Sequence, residues 1–329
     1  MLAWADYSLR IWPIRETGIN TREWGLQKVM ANEPNRFSCW MLPWRQMSLS
    51  VSAIILLVIC CAVADAADQP DVAPLLEIGA TLEYDSDGRV SVVNLAAIEL
   101  DARHLRCIAA QPAVRVVNLN HTRVDDTLLA ELAGCRSIEE LYLRGTQVSD
   151  DGLVHLKQMK GLRILNLRMT GVRGSGFSAL KDLPQLELLM LYKTEVDDDA
   201  LRQLAQLKTL KTLNLRRCTK MTGAGLAHLS RMELEWLVLD GTPIDDASLA
   251  HLSKMQSLRM LSLRDTELTD TCLKHLAEMQ NLKHLAIYRS NVTGPAITKL
   301  REKLSGCVIP FPEYDNSTRA KQPKRKVSP

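Results

Sequence analysis

The sequence has no apolar run of membrane-spanning length, almost no surplus of charge, and little aromatic content beyond its first 46 residues. The longest uncharged apolar run, Val51–Ala64, has 14 residues, short of the about 20 that a bilayer-crossing helix needs. A polytopic membrane protein is therefore excluded. Lys and Arg number 41 against 38 Asp and Glu, a net charge of +3, which excludes the strongly basic face of a typical nucleic-acid binder. Any basic interaction must come from a local stripe or from the tail, where Arg319, Lys321, Lys324, Arg325 and Lys326 cluster. Nucleophile-elbow, P-loop, zinc-ligand and dinucleotide-loop signatures are also missing, so no catalytic residue, no metal ligand and no cofactor is expected.

Cysteines are few, and after residue 66 they are odd in number: Cys107, Cys135, Cys218, Cys272 and Cys307. Complete internal pairing is thereby excluded. Cys135 and Cys272 fall where small or apolar core residues are expected, although an exported chain could staple Cys272 to Cys307. His155, His228, His251 and His275 recur without carboxylates or thiolates at ligand spacing, which argues against a zinc site.

The N-terminal part is of a different kind. Five tryptophans (Trp4, Trp12, Trp24, Trp40, Trp44) crowd into residues 1–46, a segment without periodicity. Val51–Ala64 has the length of a signal-peptide core, and Ala62-Val63-Ala64 and Ala64-Asp65-Ala66 offer cleavage patterns. Met47 is then the expected functional start, with residues 47–66 the export signal. The competing expectation is an uncleaved single-pass anchor with its N-terminus in the cytoplasm, Arg45 lying on that side. In that case the chain meets a membrane only through residues 51–64.

What is present is a repeat. Leu95, Leu119, Leu143, Leu167, Leu191, Leu215, Leu239, Leu263 and Ile287 are separated by 24 residues each time. Each has an aliphatic residue two positions earlier, from Val93 to Leu285, and in most units a threonine three positions later. The run Ile138–Val148, I-x-x-L-x-L-x-x-T-x-V, resembles the leucine-rich-repeat motif, with threonine in place of the usual asparagine. The resemblance covers residues 93–304 and is to exported bacterial leucine-rich-repeat proteins and to the repeat half of ribonuclease-inhibitor-like and F-box receptors. It implies an α/β solenoid, a horseshoe of about nine strand-turn-helix units with a parallel sheet on the concave face.

In the second half of each unit the apolar spacing changes. Leu153, Leu156, Met159 and Leu162 recur every three residues, as do Leu201, Leu204, Leu207 and Leu210, which predicts a short helix packed inward. Aspartates precede it (Asp125-Asp126, Asp150-Asp151, Asp197-Asp198, Asp245-Asp246, Asp270), as expected of helix caps. Residues 67–92, with the turn Asp85-Ser86-Asp87-Gly88, predict an N-terminal cap. Residues 305–329 hold the remnant of a C-terminal cap and a polar, basic tail without expected structure. One extra residue sits in Arg216–Met221 and one is lost near Arg231–Leu234.

Alternation along each strand assigns side chains to core or concave surface. One surface ladder reads Asn120, Arg144, Arg168, Tyr192, Arg216, Asp240, Arg264 and Tyr288. Its neighbours supply Tyr142, Asn166, Met190, Asn214, Val238 and Ser262, then Ile164, Leu188, Thr212, Trp236, Met260 and His284. Arginine, tyrosine, methionine and a lone tryptophan on one face have the composition of a protein-binding hot spot. The expected partner-binding set is Tyr142, Arg144, Arg168, Met190, Tyr192, Arg216, Trp236, Asp240, Arg264 and Tyr288. Arginines about 5 Å apart repel by only about 0.8 kcal/mol in water, so the stripe alone does not demand an anionic ligand, but an acidic patch on a protein partner is a further expectation. A second ladder, Arg115, Glu139, Arg163, Glu187, Lys211 and Glu235, alternates in sign and reads as cross-strand pairing.

The expected function is a non-enzymatic scaffold that captures a protein on its concave face after export to the periplasm, cell envelope or exterior, with no nucleic-acid partner. The alternatives are a cytosolic F-box-like substrate receptor or adaptor, which the N-terminal hydrophobic segment disfavours, and a structural envelope protein held by its basic tail.

Overall fold

A computed structural model describes residues 70–310. The N-terminal tryptophans, the apolar segment Val51–Ala64 and the basic tail lie outside the described residues. The described chain is an open ten-stranded sheet whose strands stack in sequence order. They are β1 (Thr81–Tyr84), β2 (Val90–Asn94), β3 (Val116–Asn118), β4 (Glu140–Tyr142), β5 (Ile164–Asn166), β6 (Leu188–Met190), β7 (Thr212–Asn214), β8 (Trp236–Val238), β9 (Met260–Ser262) and β10 (His284–Ala286). The first two form an antiparallel hairpin across the Asp85–Gly88 turn. From β2 onward every pairing is parallel and every register step is 24 residues, as in Leu141↔Leu165 and Leu165↔Leu189.

The two leucines of each strand are fully buried, from Val93 and Leu95 to Leu285 and Ile287. The sheet edge beyond β10 is closed by the chain end. Helix Gly294–Lys303 buries Ile297 and Leu300, and Val308 then returns to hydrogen-bond with Leu285 and Lys283. Among the described residues no helix is long and apolar enough to cross a membrane.

Threonine does its work in the turn as a hydroxyl donor. Thr122, Thr146, Thr170, Thr194, Thr242 and Thr266 are buried, and each donates its Oγ1 hydrogen to the carbonyl three residues back at 2.6–2.8 Å. Ser290 does the same at 2.6 Å. Of the two remaining units, the first has Ile98 at this position and the other has Cys218, whose thiol turns instead to the Leu191 carbonyl at 3.1 Å. The residue before this position is left-handed in all nine units, with φ between 56° and 67° at Ala97, His121, Gly145, Met169, Lys193, Arg217, Gly241, Asp265 and Arg289. Only two are glycine, so in the other seven a Cβ strain of about 1–2 kcal/mol is accepted. The compensation is visible in the hydrogen bonds, since that conformation sends the residue's N–H to the next strand's carbonyl, as from Met169 to Tyr192 at 2.8 Å.

The convex side departs from a uniform set of α-helices. Asp151–Gln158 and Ser175–Leu180 are 3-10 helices, whereas Asp198–Leu204 is α-helical. The three-residue spacing of Leu153, Leu156 and Met159 matches the 3.0 residues per turn of a 3-10 helix, which eclipses them onto the core.

The aspartates also do more than cap their own helices. Asp125 and Asp197 accept from N–H groups three residues on. The residue one position later bridges to the following unit. Asp126 accepts from the Ser149 amide, Asp198 from the Thr222 amide and hydroxyl, Asp246 from the Thr269 amide and the Thr269 and Thr271 hydroxyls, and Asp270 from the Thr293 amide and hydroxyl. Asp150 belongs to this bridging class, caps no group of its own helix, and holds the amides of Arg173, Gly174 and Gly176 at 2.9–3.1 Å. The Asp198–Thr222 bridge spans 24 residues where Asp246–Thr269 spans 23, which places the extra residue between Cys218 and Thr222.

A Cys272–Cys307 staple is absent: both thiols are free. Cys272 is fully buried in the core, and burial pushes its thiol up to about 12. In the sign-alternating ladder only Arg163 and Glu187 pair across strands, at 3.3 Å. Lys211 turns to Glu233 instead, also at 3.3 Å.

Burial works against the charge of Asp246, but the hydrogen bonds from Thr269 and Thr271 outweigh it and hold the carboxyl below 3.8. Its contribution is therefore complete above that value and is lost as pH falls through the lower folded-state value. Asp246→Asn should cost on the order of 1 kcal/mol at pH 7, measured by urea unfolding, and the gap to wild type should close on acidification toward pH 2.5. A gap independent of pH would contradict the clamp.

Candidate functional site

The exposed side of the sheet is built by register alone. Because each parallel step is 24 residues, Arg144, Arg168, Tyr192, Arg216, Asp240, Arg264 and Tyr288 come side by side, each about 4.8 Å from the next. Asparagines at the adjacent position pin the backbone beneath them. Asn118, Asn166 and Asn214 each accept the N–H two residues on, at 3.0–3.2 Å, and Asn120 accepts the Arg144 amide at 2.8 Å. These amides are structural.

At the β8–β10 end the ladder is internally neutralised. Asp240 is 1% exposed and accepts the Ser262 hydroxyl at 2.5 Å and the Arg264 Nε–H at 2.8 Å, with Arg264 Nη2 2.6 Å away. Arg264 also donates to the Tyr288 hydroxyl at 3.0 Å and lies over that ring at 5.6 Å. Burial opposes the charge of Arg264, but the bond to Asp240 prevails and raises its pKa. Asp240 therefore leaves the partner-facing set, because its carboxylate is spent on holding Arg264.

At the β4–β7 end the opposite holds. Arg216 stacks over the Tyr192 ring at 5.5 Å, but the Nε atoms of Arg144, Arg168 and Arg216 are buried without a hydrogen-bond partner. Burial, then the charges of Arg144 and Arg216, lower the pKa of Arg168, with Tyr192 acting in the opposite direction. Tyr142 is half-buried and donates to Glu140 at 2.6 Å; burial, then that carboxylate, raise its pKa.

Met190 and Trp236 are half-buried beside the stripe, with Leu188 and Val238 almost covered between them. The ten residues expected from the sequence thus lie on one face, but only part of them is open to a ligand. Two cations escaped the strand-based reading. Lys193 and Arg217 are exposed at the left-handed turn position next to the stripe, and the signal for them was the fixed place of that residue one step beyond the ladder. Among the described residues no group of three or more His, Cys, Asp or Glu is arranged to hold a metal ion.

Comparison with known proteins agrees with this architecture. The leucine-rich-repeat family model matches residues 134–156 and 206–230. Together with nine units in one register, this defines the class: the chain is a leucine-rich-repeat protein. Similar solved structures include the plant peptide hormone receptor RGFR1 in complex with RGF2, at 16% identity and a TM-score of 0.47 over 70% of this chain and 36% of that one. Internalin C2 from Listeria monocytogenes aligns at 20% identity and a TM-score of 0.44, over 64% of this chain and 84% of that one. A leucine-rich-repeat protein of Leptospira interrogans aligns at 18% identity and a TM-score of 0.42, over 63% of this chain and 62% of that one. This chain spans about a third of the receptor's length, and no curated protein matches it in sequence.

An unpartnered buried Nε costs about 1–3 kcal/mol, so the arginine stripe stands at the expense of stability. Arg168→Met should keep or raise the thermal midpoint, measured by circular dichroism. A fall of more than about 3 °C, roughly 1 kcal/mol for a domain of this size, would show that the guanidinium stabilises the fold.

Proposed function

We propose that the protein is a non-enzymatic scaffold that captures another protein on the exposed face of its sheet after export. The observation that carries this reading is the half-buried, unneutralised arginine and tyrosine stripe beside Met190 and Trp236. Aromatic and arginine anchors in a partly desolvated setting are the residues that dominate binding energy in protein interfaces. A rigid parallel sheet holds them in place, since their backbones are fixed on both sides by ladder hydrogen bonds.

Trp236→Ala combined with Arg216→Ala should lower affinity for a purified partner at least tenfold in a binding titration, while the unfolding midpoint changes little. Undiminished affinity would move the binding surface elsewhere. Export is tested separately, by the N-terminal residue of the native protein from fractionated cells. A start at Asp65 or Ala67 in the exported fraction is expected. An intact N-terminus in the membrane fraction would mean an anchored receptor, and one in the cytosol would return the adaptor reading.

A further inference from the structure

Among the described residues, three buried side-chain nitrogen or oxygen atoms lack a hydrogen-bond partner, and all three are Nε atoms of one stripe, on Arg144, Arg168 and Arg216. Buried polar atoms are otherwise satisfied in this fold as in others. Their coincidence marks one surface ladder as uncompensated from within the chain, on three side chains that are themselves only half-buried.

The nearby acids are already engaged. Glu187 pairs with Arg163 at 3.3 Å, Glu195 with Arg173 at 3.1 Å and Asp240 with Arg264 at 2.6 Å, and Glu140 accepts the Tyr142 hydroxyl. Lys193 and Arg217, exposed at the rim, add two further cations. At the β4–β7 end Arg144, Arg168, Lys193, Arg216 and Arg217 thus make no ion pair with any described acid, Glu140 included, although the chain as a whole is only +3.

The same ladder contains its own example of the missing contact. Two strands beyond Arg216, Arg264 meets the Asp240 carboxylate with Nε at 2.8 Å and Nη2 at 2.6 Å, and its guanidinium lies over Tyr288 at 5.6 Å. Arg216 lies over Tyr192 at 5.5 Å but has no such carboxylate. Each arginine has an aromatic ring one strand away, Tyr288 after Arg264 and Tyr192 before Arg216. Asp240 stands one strand from both, but its carboxylate oxygens go to Ser262 and Arg264, so Arg264 has an acid of the chain and Arg216 has none.

We infer that Arg144, Arg168 and Arg216 form the seat for an acidic, extended segment of the partner protein, whose carboxylates meet the accessible part of each guanidinium from outside and supply the counter-charge that Asp240 supplies to Arg264 from within. This rests on the protein-binding reading above and names the chemistry of its ligand. Arg144 and Arg168 stand one strand step apart, about 4.8 Å, and one carboxylate can be shared between them. Arg216 stands two steps further, about 10 Å, which three residues of a polyproline-II chain span at about 3.1 Å each, with side chains three apart on one side. A segment in that extended form therefore carries acidic residues three apart. Ile164, Met190 and Trp236, half-buried alongside, give it an apolar lane, which a protein segment fills and a phosphodiester or sulfated polymer does not. Guanidinium groups suit this role because their planar donors match a carboxylate in two-point contact, as an ammonium does not.

The test titrates the full-length chain with fluorescent decapeptides carrying two glutamates three residues apart within a leucine-containing background, and with the matched glutamine peptides. The glutamate peptide should bind at least tenfold tighter, and the advantage should shrink as salt rises from 50 to 500 mM. Arg144→Gln, Arg168→Gln and Arg216→Gln together should remove it, the corresponding lysine variants should restore only part, and unfolding midpoints should remain at or above wild type. Arg202→Gln, on the helical face, should change nothing. Equal binding of the two peptides overturns the inference, as does tighter binding of heparin, a DNA oligonucleotide or phosphatidylglycerol vesicles than of the glutamate peptide. A purified partner still bound by the triple glutamine variant but lost by Trp236→Ala overturns the acidic seat and leaves the sheet-face reading standing. Retention by both overturns the two together.

Discussion

A 24-residue unit of this protein has no interior of its own. Leu141 and Leu143 are out of water only because the strands at Val117 and Leu165 lie against theirs and the 3-10 helix of the same unit closes over them. A fully buried leucine contributes about 1.5–3 kcal/mol relative to exposure, and here nearly all of that gain is conditional on a neighbour. Stability is therefore a sum over interfaces between units, and the register that sets those interfaces cannot slip without exposing every leucine at once.

Several local oddities follow from that constraint. Seven non-glycine residues hold a left-handed turn, and in six of them the strained conformation delivers an N–H to the following unit. Buried threonines satisfy the carbonyl left free at the strand end. Aspartates at the start of one convex segment reach across to the amides and hydroxyls of the next, so the convex side is tied between units as the sheet is. Where threonine gives way to Cys218, the chain takes one extra residue before Thr222, and the strand register of β8 is unaffected. The insertion is absorbed in a loop because the sheet has no tolerance for it.

The same register makes a surface. Side chains that are 24 residues apart in sequence become neighbours at strand spacing, so the face has a composition that no single unit possesses. Within it the charges divide. The β8–β10 end closes upon itself through Asp240, Arg264 and Tyr288, which stabilises the fold and offers little to a ligand. The β4–β7 end keeps Arg144, Arg168 and Arg216 half out of water and without ion pairs, an arrangement that folding alone does not reward. A stripe that costs stability and sits on the most rigid face of the molecule is the feature that links this architecture to binding.

The leucine period by itself determined the fold class, the number of units, the strand positions and the identity of the face, because burial at a fixed spacing admits one solution. The three-residue spacing of Leu153, Leu156 and Met159 announced a short helix but not its kind, since the same spacing at Leu201, Leu204 and Leu207 goes with an α-helix; the ladder already held Arg144, Arg168 and Arg216. Two matters were decided only by tertiary structure: that Asp240 is consumed by Arg264, and that Asp126 and Asp150 serve the following unit. Each depends on which of two neighbouring side chains is nearer once the units are stacked. A sequence pattern fixes which face a residue is on, but the partner of a polar group is settled by distances of a few ångströms between units that are remote along the chain.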